Sequence, residues 1–484
     1  MTAAMAGPPA SGLEAFFCLE AYLAEAEGSR LCLGELETES VRRGREIVRL
    51  ALQAHLDARS PGDVGPALVL EHRDGPLRLG ERRLRTRGVV TLVGELSLRR
   101  LGYGAPGQQS IHPLDAELEL PARSFSYGLQ RHLARAAVCG PFEEAVRVVS
   151  ELSGVTVPKR SAEQVVLEAS VDFESFYARR SGAALEEGDL LVGAVDGKGI
   201  PMVKPEGATR VVRRKKGEKP NKKKMATVAA VHACAPRPRT TETVLASLFA
   251  EGPVNAQREA RQRPKDKRVW ASLLSTKDTF IAEVKAEMER RDPERSHTWV
   301  MVTDGERALQ RRVTATFTGV TLVLDLLHVL EKLWKVGHCL YGEGSPEATA
   351  FVRERARRVL DGEVSQVVKG LRLIATKRHL TGQRKKTLQS VANYLYANRS
   401  RMAYKQYMAK GWPIASGSVE GACKNLVRDR FERSGMRWSP AMAEAVLRLR
   451  AVYLSGDWEE YWRWHIAQDQ ERLYRTPPWR VVEK

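Results

Sequence analysis

Three apolar runs each end on an aspartate: LLVGAVD at Asp196, TWVMVTD at Asp304 and VTLVLD at Asp325. Short apolar runs rich in β-branched residues and bounded by turn residues are the pattern of strands buried on both faces. An acid that closes such a run stands where the strand leaves the core. Carboxylates of this kind can converge at one edge of a mixed sheet.

The surrounding residues fill in the order. LLVGAVDGKGIPMV predicts two antiparallel strands joined by a tight turn at Asp196-Gly197, and MATVAAVHAC predicts a third. The basic segment REARQRPKDKR precedes a helix over WASLLSTKDTFIAEVKAEMERR. Strands ending at Asp304 and Asp325 flank the helix ERALQRRVTATF, and LLHVLEKLWKVGHCLY is a helix carrying His328. The order reads β-β-β-α-β-α-β-α.

A further acid lies in GWPIASGSVEGACKNLVRDRFERSGMRWS, residues 411–439. Its core predicts one helix, with N-cap oxygens on Ser416 and Ser418 and a buried face of Val419, Cys423, Leu426 and Val427. Glu420, Lys424 and Arg428 recur every four residues on another face. One carboxylate near the positive helix start, in line with two cations, suits a metal-bound phosphate. The plain alternative is an exposed Glu420–Lys424 ion pair worth a few tenths of a kcal/mol.

Lysine and arginine number 78 against 59 acids, a formal charge of +19, so a polyanion is the expected partner and nucleic acid fits better than membrane. Residues 210–224, RVVRRKKGEKPNKKK, hold nine cations and one acid. Arg213, Arg214, Lys215, Lys216, Lys222, Lys223 and Lys224 are the candidate phosphate-tracking residues of this loop. No apolar window is long enough to span a membrane and the N-terminus lacks a signal pattern, which makes a cytoplasmic, nucleoid-associated location the expectation. Six scattered cysteines form no CxxC pair, so neither zinc nor a disulfide framework is expected.

The chain of 484 residues divides, on composition, into a helical region at 1–75, a β-hairpin region at 76–120, a helix-turn-helix region at 121–185, a core at 186–340, a helical insertion at 341–414 and a last part of the core at 415–484. In the third region a helix from Phe142 turns at Gly154, and a second opens at Ser161 with Gln164 completing a capping box. Lys159 and Arg160 stand just before it, where backbone phosphates would be met. In the last region Trp458, Trp462 and Trp464 are expected to pack against the catalytic unit.

Three carboxylates at one edge repel unless divalent cations neutralise them, and oxygen-rich sites suit Mg²⁺ or Mn²⁺. Two such ions support phosphoryl transfer without a covalent protein intermediate. Asp196, Asp304 and Glu420 are the expected catalytic and metal-binding set. Asp325 and His328 are second-tier candidates, because Asp325 can serve as a plain N-cap and His328 borders a leucine stripe of Leu326, Leu327, Leu330 and Leu333.

The motifs GELSLRRLGY, PLDAELELP, DFESFY, AVDGKG, VTDGERAL, DLLHVLEKLW, IASGSVEGACKNLVRDRFERSGMRWS and DWEEYW resemble those of bacterial insertion-sequence DDE transposases of the ISKra type. The resemblance spans about residues 80–475 and implies an α/β RNase H-like core, a mixed five-stranded sheet flanked by helices, interrupted by a helical insertion. It implies a triad of Asp196 in AVDGKG, Asp304 in VTDGE and Glu420 in SGSVEG, with two Mg²⁺ or Mn²⁺ ions. The activity implied is cleavage and strand transfer at the ends of a mobile element, on double-stranded element and target DNA, by a homodimer or higher oligomer. GYGAPGQQSIHPLD departs from the family in having no cysteine, which argues against a zinc ribbon. A metal-dependent nuclease or resolvase, and a non-catalytic DNA-binding derivative, are the alternatives.

Binding dominated by phosphate contacts falls steeply with salt. Neutralising the lysines of 215–224 is expected to flatten the slope of log K against log[salt] by about 0.9 per contact removed. An unchanged slope in a filter-binding titration would show that the loop is merely solvated.

Overall fold

The computed structural model describes residues 10–25, 30–71, 75–203, 223–249, 264–475 and 479–481. The chain forms two compact units, Met1–Tyr177 with Asp457–Lys484, and Ala178–Gly456. The basic residues Arg213, Arg214, Lys215, Lys216 and Lys222 lie outside the described residues. Among the described residues no helix is long and apolar enough to cross a membrane.

In the first unit the helices Gly12–Ala24 and Leu33–Asp57 precede strands β1 (Leu68–Leu70), β2 (Leu77–Leu79), β3 (Glu81–Thr91) and β4 (Gly94–Gly104). β3 and β4 form a hairpin of two 11-residue strands, longer than the short strands expected. Buried Asp115 holds its neighbour in place, accepting from Arg87 at 2.8 Å and from Arg100.

The two-helix region consists of Phe142–Ser153 and Lys159–Ala169, with Gly154 at φ 72° closing the first. The second helix opens at Lys159, not at Ser161, and Pro158 is its N-cap. Proline presets φ and offers no amide donor, so the helix can begin directly after it. The Ser161–Gln164 capping box is therefore not formed. Lys159 and Arg160 lie in the first turn, and the Lys159 ammonium pairs with Glu143 at 2.6 Å.

The C-terminal helix Trp458–Gln470 belongs to this first unit, contrary to the expectation that it packs on the other. Its aromatic face finds partners in the DFESFY segment. Tyr461 meets Phe176 edge to face at 5.3 Å, and Tyr177 donates to Asp457 at 2.8 Å. Sequence shows an aromatic cluster but not which cluster completes it.

The second unit is built on β5 (Leu190–Pro201), β6 (Lys223–Cys234), β7 (Lys265–Ser272), β8 (Thr298–Thr303) and β9 (Thr321–Leu324). The tenth strand, β10 (Trp479–Val481), pairs with β1 in the first unit. The five strands form one mixed sheet in the order β7-β6-β5-β8-β9. β6 is antiparallel to both β5 and β7, whereas β8 runs parallel to β5 and β9 parallel to β8. Helices Lys277–Arg291, Arg307–Thr316 and Leu326–Tyr341 connect and flank it.

Two strand assignments differ from the sequence reading. No turn interrupts β5 at Asp196-Gly197. The strand runs on to Pro201, because β6 pairs with it throughout, Asp196 opposite Val228 and Gly197 opposite Thr227. Lys265–Ser272 is a strand rather than a basic segment running into a helix. Its Arg268 is buried against Glu287, a long-range pair that no local pattern reveals. The helix starts only after Thr276, whose hydroxyl accepts from Thr279 N.

The stretch expected as one helix is three pieces. Gly417–Ala422 is α-helical, Cys423–Arg428 is π-helical and Asp429–Phe431 returns to α. The i→i+5 turn takes residues spaced by four out of line, so Glu420, Lys424 and Arg428 do not share one ridge. Ser416 precedes the first piece but makes no side-chain cap.

Helices Pro346–Leu360, Val364–Lys377, Gly382–Asn398 and Tyr404–Ala409 make up the insertion. Two of its tyrosines grip strand ends, Tyr394 donating to Asp304 O at 2.8 Å and Tyr404 to Leu324 O at 2.7 Å. Gly305 follows at φ 91°, and a Cβ there would lie 2.6 Å from the Tyr394 hydroxyl. Gly305→Ala is expected to destabilise by roughly 2 kcal/mol, from left-handed strain and the close contact together. Urea unfolding would read this as a lowered midpoint.

Candidate active site

The parallel ladders fix where the acids stand. Val195 is opposite Thr303, and Thr303 is opposite Leu324. Asp196, Asp304 and Asp325 are therefore the next residues in three adjacent strand positions, with strands about 4.8 Å apart. Val192, Ala194 and Asp196 alternate onto one face of β5, and Gly417–Ala422 packs on β5 and β6. On the opposite side Gly193 meets Met288 of helix Lys277–Arg291.

Asp196 is half-buried. One of its oxygens accepts from the Gly197 amide at 2.6 Å and the other from the Cys423 thiol at 3.3 Å. Asp304 accepts from Glu306 N at 2.8 Å. Burial pushes its carboxyl above the usual range, the negative charge of Asp196 adds to this, and the Glu306 amide opposes it. Burial raises the Cys423 thiol strongly, so it stands as a neutral donor to Asp196.

Asp325 is wholly buried and caps helix Leu326–Tyr341, accepting from Leu327 N at 2.8 Å. Its second oxygen accepts from His328 Nδ1 at 3.1 Å and from the Ser416 hydroxyl. The N-cap role weighed for Asp325 is what the structure contains. The Ser416 hydroxyl, expected to cap its own helix, instead ties that helix to the end of β9. His328 is raised to about 9 by its bond to Asp325, against burial, with Asp325, Asp196 and Asp304 adding by charge. At neutral pH an imidazolium thus stands among the three aspartates.

Glu420 is exposed, and among the described residues it forms no ion pair with Lys424. It lies near enough to Cys423 to act on its thiol by charge. Lys424 and Arg428 are exposed. Lys223 pairs with Glu432 at 2.6 Å, Lys224 is exposed at the start of β6, and Lys159 and Arg160 belong to the other unit. Asp196, Asp304, Asp325 and His328 are brought together, and Glu420 lies close enough to Cys423, the thiol bonded to Asp196, to act on it by charge.

A divalent cation answers the need of the Asp196–Asp304 pair, hard oxygen ligands whose charges oppose each other. Among the described residues, however, no three His, Cys, Asp or Glu side chains stand in ligating geometry. The two aspartates offer the hard oxygen donors such an ion takes.

Three site residues escape a pattern-based reading. Cys423 counted only as a buried-face residue, and Ser416 only as a cap. Lys198, two residues beyond Asp196 in the same strand, acts by charge on both Cys423 and Glu432. The period of two in AVDGKG was a usable signal for it.

No family model matches the sequence, and no curated protein matches it. Among solved structures, one similar chain is in the Drosophila P element transposase strand transfer complex. It is 9% identical, with a TM-score of 0.24 over 68% of this chain and 80% of that one. A TM-score of that size is too low to establish a shared fold.

The raised His328 makes a stability prediction. A group raised from 6.5 to about 9 on folding stabilises fully below pH 6.5, and that stability is lost as pH rises through about 9. Melting temperature is expected to fall between pH 6.5 and 9, and His328→Gln to lose that part of the slope. Parallel melting curves for the two proteins would refute it.

Proposed function

We propose that the chain is a DNA transposase with an RNase H-like core, of the ISKra type of insertion-sequence enzymes. It binds double-stranded DNA at the ends of its element, cleaves phosphodiester bonds and joins the freed 3′-hydroxyls to target DNA. The observation that carries this reading is the register of β5, β8 and β9, which sets Asp196 and Asp304 side by side at one sheet edge. The sheet order, with the second strand antiparallel, is the order of an RNase H-like core.

In this reading Asp196, Asp304 and Glu420 hold two Mg²⁺ or Mn²⁺ ions. Such ions supply a lowered pKa at the attacking oxygen and charge stabilisation at the leaving one. Asp196 and Asp304 bind from the strands, while Glu420 joins from its helix. Lys198, Lys424 and Arg428 supply positive charge for the DNA backbone. His328 and Ser416 orient through Asp325. Lys159, Arg160 and the basic residues of 210–224 contribute DNA binding, and the chain works in the cytoplasm as a homodimer or higher oligomer.

A nuclease or resolvase on the same core would hydrolyse without joining, and a strand-transfer assay on pre-cleaved ends separates the two. Asp196→Ala, Asp304→Ala and Glu420→Ala are each expected to reduce cleavage by at least about a thousandfold with melting temperature nearly unchanged. Asp325→Asn is expected to lower the melting temperature as well, since it disturbs a buried junction. If Asp325→Asn is dead yet rescued by Mn²⁺, while Glu420→Asp works normally in Mg²⁺, the third ligand is Asp325.

A further inference from the structure

Against the sheet face that carries Val192 and Ala194 lies a cavity of about 960 Å³. The start of the Glu420 helix, Ser416 to Ala422, bounds it, as do Leu326 and Leu327 just after Asp325 and helix Thr241–Leu248. All of its lining belongs to the second unit.

Among the described residues that line it there is no Asp or Glu, while Arg237, Arg239 and Lys267 all do. Two neighbours of Lys267 on β7 have acidic partners. Lys265 reaches Glu186 at 2.7 Å, and Arg268 pairs with Glu287. Lys267, among the described residues, makes no ion pair. His232 lines the same space, is 8% exposed, and its Nδ1 has no hydrogen-bond partner. Arg239 donates to Trp412 O, yet its Nε is likewise buried and unpartnered. An unsatisfied buried polar atom costs about 1–3 kcal/mol, so these two atoms, in a space whose described lining holds no acid, call for a polar partner.

We propose that this cavity binds an organic phosphate, its anionic group held by Lys267, Arg239 and His232 and its flat apolar body laid on Val192, Val302 and Leu327. Two cations and a buried imidazole whose Nδ1 has no partner favour a phosphate over a singly charged carboxylate. The volume falls within the usual range for small-ligand sites. The phosphate comes either from a free nucleotide-sized ester or from the 5′-phosphorylated end of a DNA strand. Because Ser416 and Gly417 form part of the wall, occupancy bears on the start of the Glu420 helix. Binding itself needs neither metal nor cleavage, so it stands or falls apart from the catalytic reading.

Calorimetric titration of the full chain, without divalent metal, tests this with thymidine 5′-monophosphate, a 5′-phosphorylated thymidine dinucleotide and inorganic phosphate. Lys267→Glu is expected to weaken the organic phosphates about tenfold or more, equivalent to about 1.4 kcal/mol. Lys335→Glu makes the same charge change at an exposed position of helix Leu326–Tyr341 and is expected to leave affinity within about twofold. Melting temperatures check that both proteins fold. A tighter dinucleotide identifies the DNA end as the source, and a tighter monophosphate identifies a free ester; either supports the site. Equal weakening by both reversals, no binding of either organic phosphate, or inorganic phosphate binding as tightly as the monophosphate overturns it.

Discussion

The carboxylate of Asp325 is the junction on which the rest of the site depends. A buried charge is tolerated only when its hydrogen-bonding capacity is met, and this one is met from three directions. Leu327 N lies in the helix that Asp325 opens, His328 one turn along it, and Ser416 at the head of the Glu420 helix. The adjoining backbone bond from Leu326 N to Ile414 O, 2.9 Å, ties the same two segments again. Together these bonds join the end of β9, a core helix and the Glu-bearing segment, although residues 325 and 416 are far apart in the chain.

The insertion between Asp304 and the Glu420 helix serves the same edge. Tyr394 and Tyr404 close the carbonyls at the ends of β8 and β9, where parallel strands leave backbone acceptors without ladder partners. Gly305 is the concession that lets Tyr394 approach. The π-helical turn after Ala422 brings Cys423 onto Asp196, a local departure from α-geometry of a kind often met at functional sites.

In the first unit several of the distinctive motifs are structural ties of one type, a buried acid shared among partners. Asp115 of PLDAELELP takes Arg87 and Arg100 of the hairpin. Asp172, at the start of DFESFY, takes His465 at 2.7 Å and both ends of the Arg472 guanidinium. Asp457 of DWEEYW takes Tyr177. These contacts give the motifs a reason to exist that involves no ligand. They also explain the C-terminal segment's return to this unit.

Apolar runs and their closing acids are local facts, and the sequence by itself determined that Asp304 and Asp325 end strands and that an acid-bearing helix follows the insertion. Period and turn chemistry were enough for the helices at Phe142–Ser153 and Leu326–Tyr341 as well. The continuation of β5 through Asp196, the strand at Lys265–Ser272 and the start of the second helix at Lys159 were decided elsewhere. Each rests on a partner distant in sequence or on proline's fixed geometry overriding a serine cap. Only the tertiary structure decided that Asp325 is a buried junction, that Ser416 serves it, and that Glu420 stands exposed. Hydrogen bonds between residues some ninety positions apart leave no periodic trace in the chain that makes them.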